Sequence, residues 1–211
     1  MIKLRPEQSH WELTNEKNKV YVRWLFIVLV FGYFVYLLKS GTSGEDAYFR
    51  YLSWGYIGSL VAFYCIVNIS ITLFLMMVEK GKWSMHPAVK YLTMTVDLFV
   101  VSMVILPTGG EQSMFFLLYL VIIVSNTMRY GIKMGIVSLI TLNLLYVGVL
   151  VFLHFPELVL PDMQAEILKI AGLWSVGIYL GYLSKRYEIM QGEVEKYQKI
   201  VMDLVKKEEE G

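Results

Sequence analysis

Apolar residues are gathered into six runs along the chain, separated by short polar stretches. The runs cover residues 20–38, 51–78, 91–106, 114–128, 134–155 and 167–183. Apolar runs of about 20 residues match the hydrocarbon core of a bilayer, which is ~30 Å thick. Turn-forming residues fill the breaks, as in SGTSGED after the first run and PTGGEQS after the third. The pattern predicts an all-α integral membrane protein with six transmembrane helices.

Composition supports a membrane protein and excludes several functions. The chain is 56% hydrophobic and only 18% charged, with a mean hydropathy of +0.54. A soluble domain of 211 residues has too little interior to hide that much apolar surface. The net charge of +1 argues against a nucleic-acid partner. Cys65 is the one cysteine and lies in an apolar run, which argues against disulfides and thiolate metal sites.

The distribution of lysine and arginine predicts the orientation of the chain in the membrane. Ten of these residues lie in the N-terminal segment up to Arg23, at the start of the first run, and in alternate loops, within 80–90 and 129–133. The opposite set of segments, at the other ends of the runs, holds only Lys39, Arg50 and Lys169. Basic residues are retained on the cytoplasmic side, so both termini are predicted to be cytoplasmic. In a bacterium the location would be the inner (plasma) membrane, which the chain crosses several times.

The segment after the sixth run is polar but keeps an apolar rhythm. Steps of three and four residues separate Tyr187, Met190, Val194, Tyr197, Val201 and Leu204. This spacing is the a/d pattern of a coiled coil, which predicts a parallel homodimer. The alternative is one amphipathic helix lying on the inner leaflet. Gly177 and Gly181 form a small-xxx-small pair that falls beside the heptad seam, a position suited to packing within the bundle.

These patterns divide the chain into three predicted parts. Residues 1–18 form a cytoplasmic tail, 19–184 a six-helix module, and 185–211 a cytoplasmic coiled coil that continues the last span. Because a helical rod needs something to act on, we expect an output domain to follow it or to lie on a partner.

Asp97 is the most unusual residue of the apolar runs. A charge at this depth costs at least ~2.5 kcal/mol. The third and fourth runs are joined by a short turn, so they should pack side by side and bring Asn126 and Arg129 near Asp97. We therefore expect Asp97 to accept hydrogen bonds from one of these two residues. Two simpler interpretations stay open: Arg129 extends to the headgroups, or a protonated Asp97 bonds to Thr93.

Other chemistry is sparse. Asn68, in the second run, is a candidate for lining a polar interior. The three histidines lack metal-ligand spacing, and no nucleophile lies beside a base. We expect no metal, no cofactor and no catalytic residue in this chain.

The segment VDLFVVSMVILPTGGEQSMFFLLYLVIIVSNTMRYG resembles the membrane input region of bacterial sensor histidine kinases. It is most similar to the diffusible-signal-factor receptors, hybrid kinases that detect cis-2-unsaturated fatty acids. The matching positions are Asp97, Gly110, Asn126, Arg129, Tyr130 and Gly131. The resemblance implies a dimeric two-component sensor of quorum signals, with a kinase core after the coiled coil. The family's sensing stretch faces outward, whereas the basic N-terminal tail here is predicted to face inward.

Together these features predict a signal-input module that senses a membrane-borne or hydrophobic cue, such as a fatty-acid-like molecule. Its outer loops are short, which disfavours a soluble ligand. The rival interpretation is a six-helix transport or substrate-binding subunit. Transport would explain Asp97, but it would not explain the heptad tail.

Overall fold

The protein is all-helical over the residues that the computed structural model describes, which are 6–40, 53–154 and 163–209. Five α-helices follow one another: α1 (Pro6–Ser40), α2 (Trp54–Glu79), α3 (Ala88–Ile105), α4 (Phe116–His154) and α5 (Met163–Glu209). Two 3-10 turns, Leu106–Thr108 and Gly110–Gln112, join α3 to α4. All five helices are long and apolar enough to cross a membrane. The chain is therefore a multi-pass membrane protein by helix length and composition.

Helix α4 contains the fourth and fifth apolar runs in one element, with a break between them. Gly131 has φ 80° and ψ −179°, which are not helical angles. A Cβ atom added to Gly135 would overlap the side chain of Thr127. Residues eight apart in a straight helix are separated by about 12 Å along the axis. The chain therefore turns back on itself at Gly131, and 116–130 packs beside 132–154.

Helix α3 is enclosed by both halves of α4. The Ser102 hydroxyl lies 2.6 Å from the Tyr119 hydroxyl in the first half. In the second half, Ser138 lies 2.7 Å from the sulfur of Met94. The central core surrounds these contacts and includes Leu98, Ile105, Ile123, Leu139, Leu142 and Tyr146. Its side chains are almost completely shielded.

The link between α3 and α4 is a tight turn, as PTGGEQS predicted. Gly109 has φ 114°, a conformation that residues with a Cβ rarely adopt. The Thr108 hydroxyl donates to the backbone carbonyl of Val104 at 2.8 Å and lies 2.6 Å from the Ser113 hydroxyl. The turn thus satisfies the polar groups at this end of the hairpin.

Helix α5 packs antiparallel to the second half of α4. Gly177 lies against Leu139, and Gly181 lies against Ile132. The small-residue pair therefore serves packing within the bundle, one of the roles its position beside the heptad seam suggested. Beyond Ser184, the described side chains of α5 are exposed. The remaining 25 residues of this helix, 185–209, extend about 37 Å away from the bundle.

Replacing Gly131 with Ala should destabilise the protein by about 1–3 kcal/mol, because the backbone angles at this position are essentially restricted to glycine. The measurement is SDS-induced unfolding of the purified protein in mixed micelles. Gly148→Ala is the matched control, since Gly148 is helical in the same α4 and has open space around it. Equal stability of the two variants would contradict the turn at Gly131.

Candidate functional site

The acid of the third apolar run forms a two-point ion pair with the first helix. The Arg23 Nε atom in α1 donates to Oδ1 of Asp97 in α3 at 2.7 Å. Arg23 Nη2 donates to Oδ2 of the same carboxylate at 2.8 Å. The arginine side chain is 4% exposed and the aspartate 14% exposed. Paired planar groups of this kind form charge-assisted hydrogen bonds with a defined geometry.

A third helix joins the ion pair. The Tyr64 hydroxyl in α2 donates to Oδ1 of Asp97 at 2.9 Å. The edge of the Tyr64 ring also packs near Phe26 of α1, with ring centroids 6.1 Å apart. Asp97 thereby connects α1, α2 and α3 at one depth. Because each ion alone would be costly in an apolar surrounding, the three side chains depend on one another.

The predicted partners of Asp97 were wrong. Neither Asn126 nor Arg129 bonds to its carboxylate, and Thr93 donates instead to the backbone carbonyl of Lys90 at 3.2 Å. The prediction considered only the helix adjacent in the chain, whereas the partner comes from α1, 74 residues away. Arg23 lay within the first apolar run and was counted only as an orientation signal. Its position inside a span was itself evidence that it needed an acidic partner.

The other predicted polar residues also lie next to α1. Arg129 Nη1 donates to the carbonyl of Asn15 at 3.4 Å, so this arginine contacts the protein backbone. The Tyr130 hydroxyl donates to the carboxylate of Glu16. Asn68 is fully buried, and its Nδ2 lies 3.5 Å from the carbonyl of Val20. Helix α1 is therefore the common neighbour that the sequence interpretation missed.

A second polar layer lies one to two turns along α1 from the ion pair. Glu16 is fully buried, and Lys19 donates to its Oε1 atom at 3.1 Å. The Lys19 ammonium also lies 4.6 Å from the centre of the Tyr130 ring, and that of Lys90 lies 5.5 Å from it. Cations placed over an aromatic face are stabilised by the ring quadrupole. This layer connects α1 and α3 to the end of the first half of α4.

A cavity of about 120 Å³ lies between α1 and α4, beside these polar layers. Its polar lining comprises Lys19, Arg23, Tyr64, Asp97, Ser125, Asn126 and Arg129. Phe26, Val101, Leu118, Val121 and Ile122 are among its apolar lining residues. Two buried polar atoms at this site, Arg23 Nη1 and Asn126 Oδ1, have no hydrogen-bond partner in the described part of the chain. The predicted residues Asp97, Asn126 and Arg129 therefore all line the same cavity.

A separate polar cluster lies near the start of α5. Glu166 is buried, accepts from the Tyr146 hydroxyl at 2.5 Å and pairs with Lys169 at 2.5 Å. The Lys169 ammonium also lies 5.8 Å from the centre of the Phe116 ring. No predicted site included Glu166. Its place in an amphipathic first turn resembles that of any solvated acid, so the sequence carried no signal for it.

The predicted coiled-coil residues lie on the part of α5 beyond Ser184. Tyr187, Met190, Val194, Tyr197 and Val201 are each more than half exposed in the single chain. Leu204 belongs to the same helix, but its side chain lies outside the described set. Within the described residues, no group of three His, Cys, Asp or Glu side chains is arranged to hold a metal ion.

No protein-family model, curated protein or solved structure significantly matches this chain.

Removing one member of the Arg23–Asp97 pair should cost about 3–5 kcal/mol of unfolding free energy, because the other charge is left buried and unpaired. We expect this loss for Arg23→Met and for Asp97→Leu. The double variant should recover at least half of it, since neither charge then remains. The measurement is SDS-induced unfolding in mixed micelles.

Arg129→Gln is the control for this cycle and should cost less than about 1 kcal/mol, because its contact with a carbonyl is long and half-buried. Additive losses in the double variant would contradict the pairing of Arg23 with Asp97.

Proposed function

We propose that this chain is the membrane-embedded input module of a sensor histidine kinase of a two-component system. In this role it detects a membrane-borne or hydrophobic cue in the bacterial inner membrane and transmits it through a dimeric helix to a kinase core. The observation that carries the proposal is α5. This helix packs in the bundle up to Ser184 and then continues for 25 residues with an exposed apolar stripe.

The proposal includes six membrane crossings. As a single straight element, the 39 residues of α4 would extend about 58 Å, nearly twice the hydrocarbon thickness. The turn at Gly131 gives two shorter segments, 116–130 and 132–154, that cross in opposite directions. Arg129 and Lys133 flank the turn, which favours its location at the cytoplasmic face. Six crossings leave both termini cytoplasmic, in agreement with the distribution of basic residues.

The apolar stripe on α5 supports a parallel coiled-coil homodimer. Along the part of α5 that leaves the bundle, Met190, Val194, Tyr197 and Val201 are each more than half exposed in the single chain. Its polar positions mix Glu with Lys, which suits a coiled coil better than an anionic lipid surface. A second copy of the chain would bury the stripe along the same register. Residues 185–211 would then form the output rod of the module.

Signal transmission in this proposal is a two-state movement of α5 against α4. Gly177 and Gly181 allow close approach of the two helices. Because they carry no side chains, they offer little steric resistance to rotation or sliding of α5. The cue must bind one arrangement better than the other, because only differential affinity shifts such an equilibrium. Rotation or displacement of a helix within an interface is a common form of such switching.

The kinase assignment depends on the resemblance of residues 97–131 to the diffusible-signal-factor receptors. Four of the matched positions, Asp97, Asn126, Arg129 and Tyr130, line the cavity or contact α1 beside it. A cluster of polar residues within spans usually marks function. By the same resemblance, the cue is fatty-acid-like and the output is a quorum response.

Transport is the second candidate function, and buried polar residues around a cavity favour it. A transport subunit would use Arg23, Asp97 and Arg129 for substrate contact within the membrane. It would have no need of an exposed heptad stripe on α5. The state of that helix therefore separates the two candidates.

Labelling of single cysteines should report six crossings. In a Cys65→Ser background, cysteines replacing Asn18 and Gly192 should both be protected from an impermeant maleimide in intact spheroplasts and labelled after permeabilisation. A cysteine replacing Gln112 should be labelled in both conditions and serves as the outer-side control. If α4 crosses only once, position 192 will instead be accessible from outside.

Crosslinking of α5 tests the dimer. In the same background, Val194→Cys should form an intermolecular disulfide rapidly in membranes under mild oxidation, because a coiled coil brings the two a positions together. Gly192→Cys lies on the opposite helix face and should react at least about tenfold more slowly. Equal rates, or no dimer at either position, would remove the support for an input module and favour transport.

A further inference from the structure

The cavity between α1 and α4 is polar at one end and apolar at the other, like one leaflet of a bilayer. Arg23 and Arg129 lie toward the end of the helices that the basic loops place at the cytoplasmic face. Phe26, Leu118 and Val121 lie about one to three helical turns deeper in the membrane. A polar end at the interface and an apolar end toward the midplane is also the arrangement of a lipid molecule.

The cavity is open sideways to the lipid. Val22 of α1 and Val121 of α4 both line it and are each 58% exposed. Polar contacts hold α1 to α4 at the inner end, where Glu16 and Asn15 meet Tyr130 and Arg129. A molecule dissolved in the inner leaflet can therefore enter between the two helices without crossing the protein core.

The charges at the polar end are not fully balanced. Lys19, Arg23 and Arg129 line the cavity as cations, and Asp97 is its acidic lining residue. Glu16 neutralises Lys19 from outside the lining. Three positive charges therefore face two negative charges, which leaves one positive charge. Arg129 carries it, because no carboxylate of the described residues pairs with this arginine.

One donor at this end is also left unused. Arg23 is 3% exposed, and two of its nitrogens are taken by Asp97. Its third nitrogen, Nη1, is buried and has no acceptor within the described residues. Buried donors nearly always have a partner, and leaving one without an acceptor is costly. An anionic oxygen placed near Arg23 and Arg129 would satisfy the donor and the charge together.

We propose that this cavity binds an acyl lipid with an oxyanion head group. The head accepts hydrogen bonds from Arg23 Nη1 and from Arg129, and the acyl chain runs past Phe26, Leu118 and Val121 into the bilayer. The bound molecule completes the α1–α4 interface beside the Arg23–Asp97 pair. Its role as the cue depends on the proposed input function, whereas its binding does not.

The test is native mass spectrometry of the 211-residue chain released from phosphatidylcholine nanodiscs. One arm adds oleate, a free long-chain carboxylic acid, and compares it with methyl oleate, which has no charge. The second arm adds phosphatidylglycerol, an anionic phospholipid. We expect saturable binding of one molecule of an anionic lipid per chain and no saturable binding of methyl oleate.

Three variants define the site. Arg129→Gln should weaken binding about tenfold or more, because it removes a charged donor. Ser125→Phe should weaken it to a similar extent by filling the cavity. Lys133→Gln removes an exposed cation from the same end of the bundle but not from the cavity, and should change binding less than about twofold. Arg129 and Ser125 lie outside the Arg23–Asp97 pair, so the fold should persist in both variants.

Binding of oleate alone identifies a free acid as the occupant. Binding of phosphatidylglycerol alone identifies a phospholipid, and binding of both identifies a site for oxyanion-headed lipids in general. Each result supports the proposal if Arg129→Gln and Ser125→Phe weaken that binding. Equal binding by these variants and Lys133→Gln would overturn the proposal. The dimer crosslink at Val194 is measured separately, so a failed site and a failed input function give different results.

Discussion

A charge placed among apolar helices needs an opposite charge beside it, and the packing of α1 against α2 and α3 is organised by that constraint. Arg23 and Asp97 lie on different helices and form two hydrogen bonds between a guanidinium and a carboxylate. Each alone would pay a desolvation cost of several kcal/mol. Since neither is stable without the other, the pair fixes the depth of α1 against α3. Tyr64 extends the same constraint to α2.

In the second polar layer, one to two turns along α1 from the ion pair, a buried charge is again balanced by an opposite charge. Glu16 is buried between Lys19 and Tyr130, so α1 is bound to the end of the first half of α4. Arg129 is the exception, because within the described residues it bonds to a backbone carbonyl and to no carboxylate. The interior therefore keeps one positive charge beside an open cavity. An incompletely neutralised site of this kind is better suited to recognition than to packing alone.

The contact between α5 and the second half of α4 combines close packing at glycines with a buried polar cluster around Glu166. Glycines on α5 let this helix approach the second half of α4. The exposed apolar stripe of α5, from Tyr187 onward, begins where that contact ends. The cavity and α5 are thus connected through α4, whose first half lines the cavity and whose second half packs against α5. In the proposed input function, a change at the cavity would reach α5 through the turn at Gly131.

The sequence by itself determined most of the helical segments and where the polar breaks fall, but it assigned residues 1–18 to a tail, whereas helix α1 begins at Pro6. These features follow from local properties: backbone groups in lipid must bond within the helix, and turn residues punctuate the apolar runs. The sequence also predicted that Asp97, Asn126 and Arg129 lie at similar depths, because each helical residue advances about 1.5 Å along the axis. The tight turn at Gly109 and the irregular backbone at Gly131 were marked by glycines in the breaks.

Only the tertiary structure decided which helices face one another. In lipid, the outer surface of a helix is as apolar as its packed surface, so hydrophobicity does not distinguish the two. Leu142 is fully buried whereas Leu144, two residues away, is 73% exposed, although their side chains are identical. For the same reason the apolar pattern did not place α1 beside α3, and the partner of Asp97 was sought on the wrong helix. Helix order depends on shape and on a few polar pairs, which become visible only once the helices are packed.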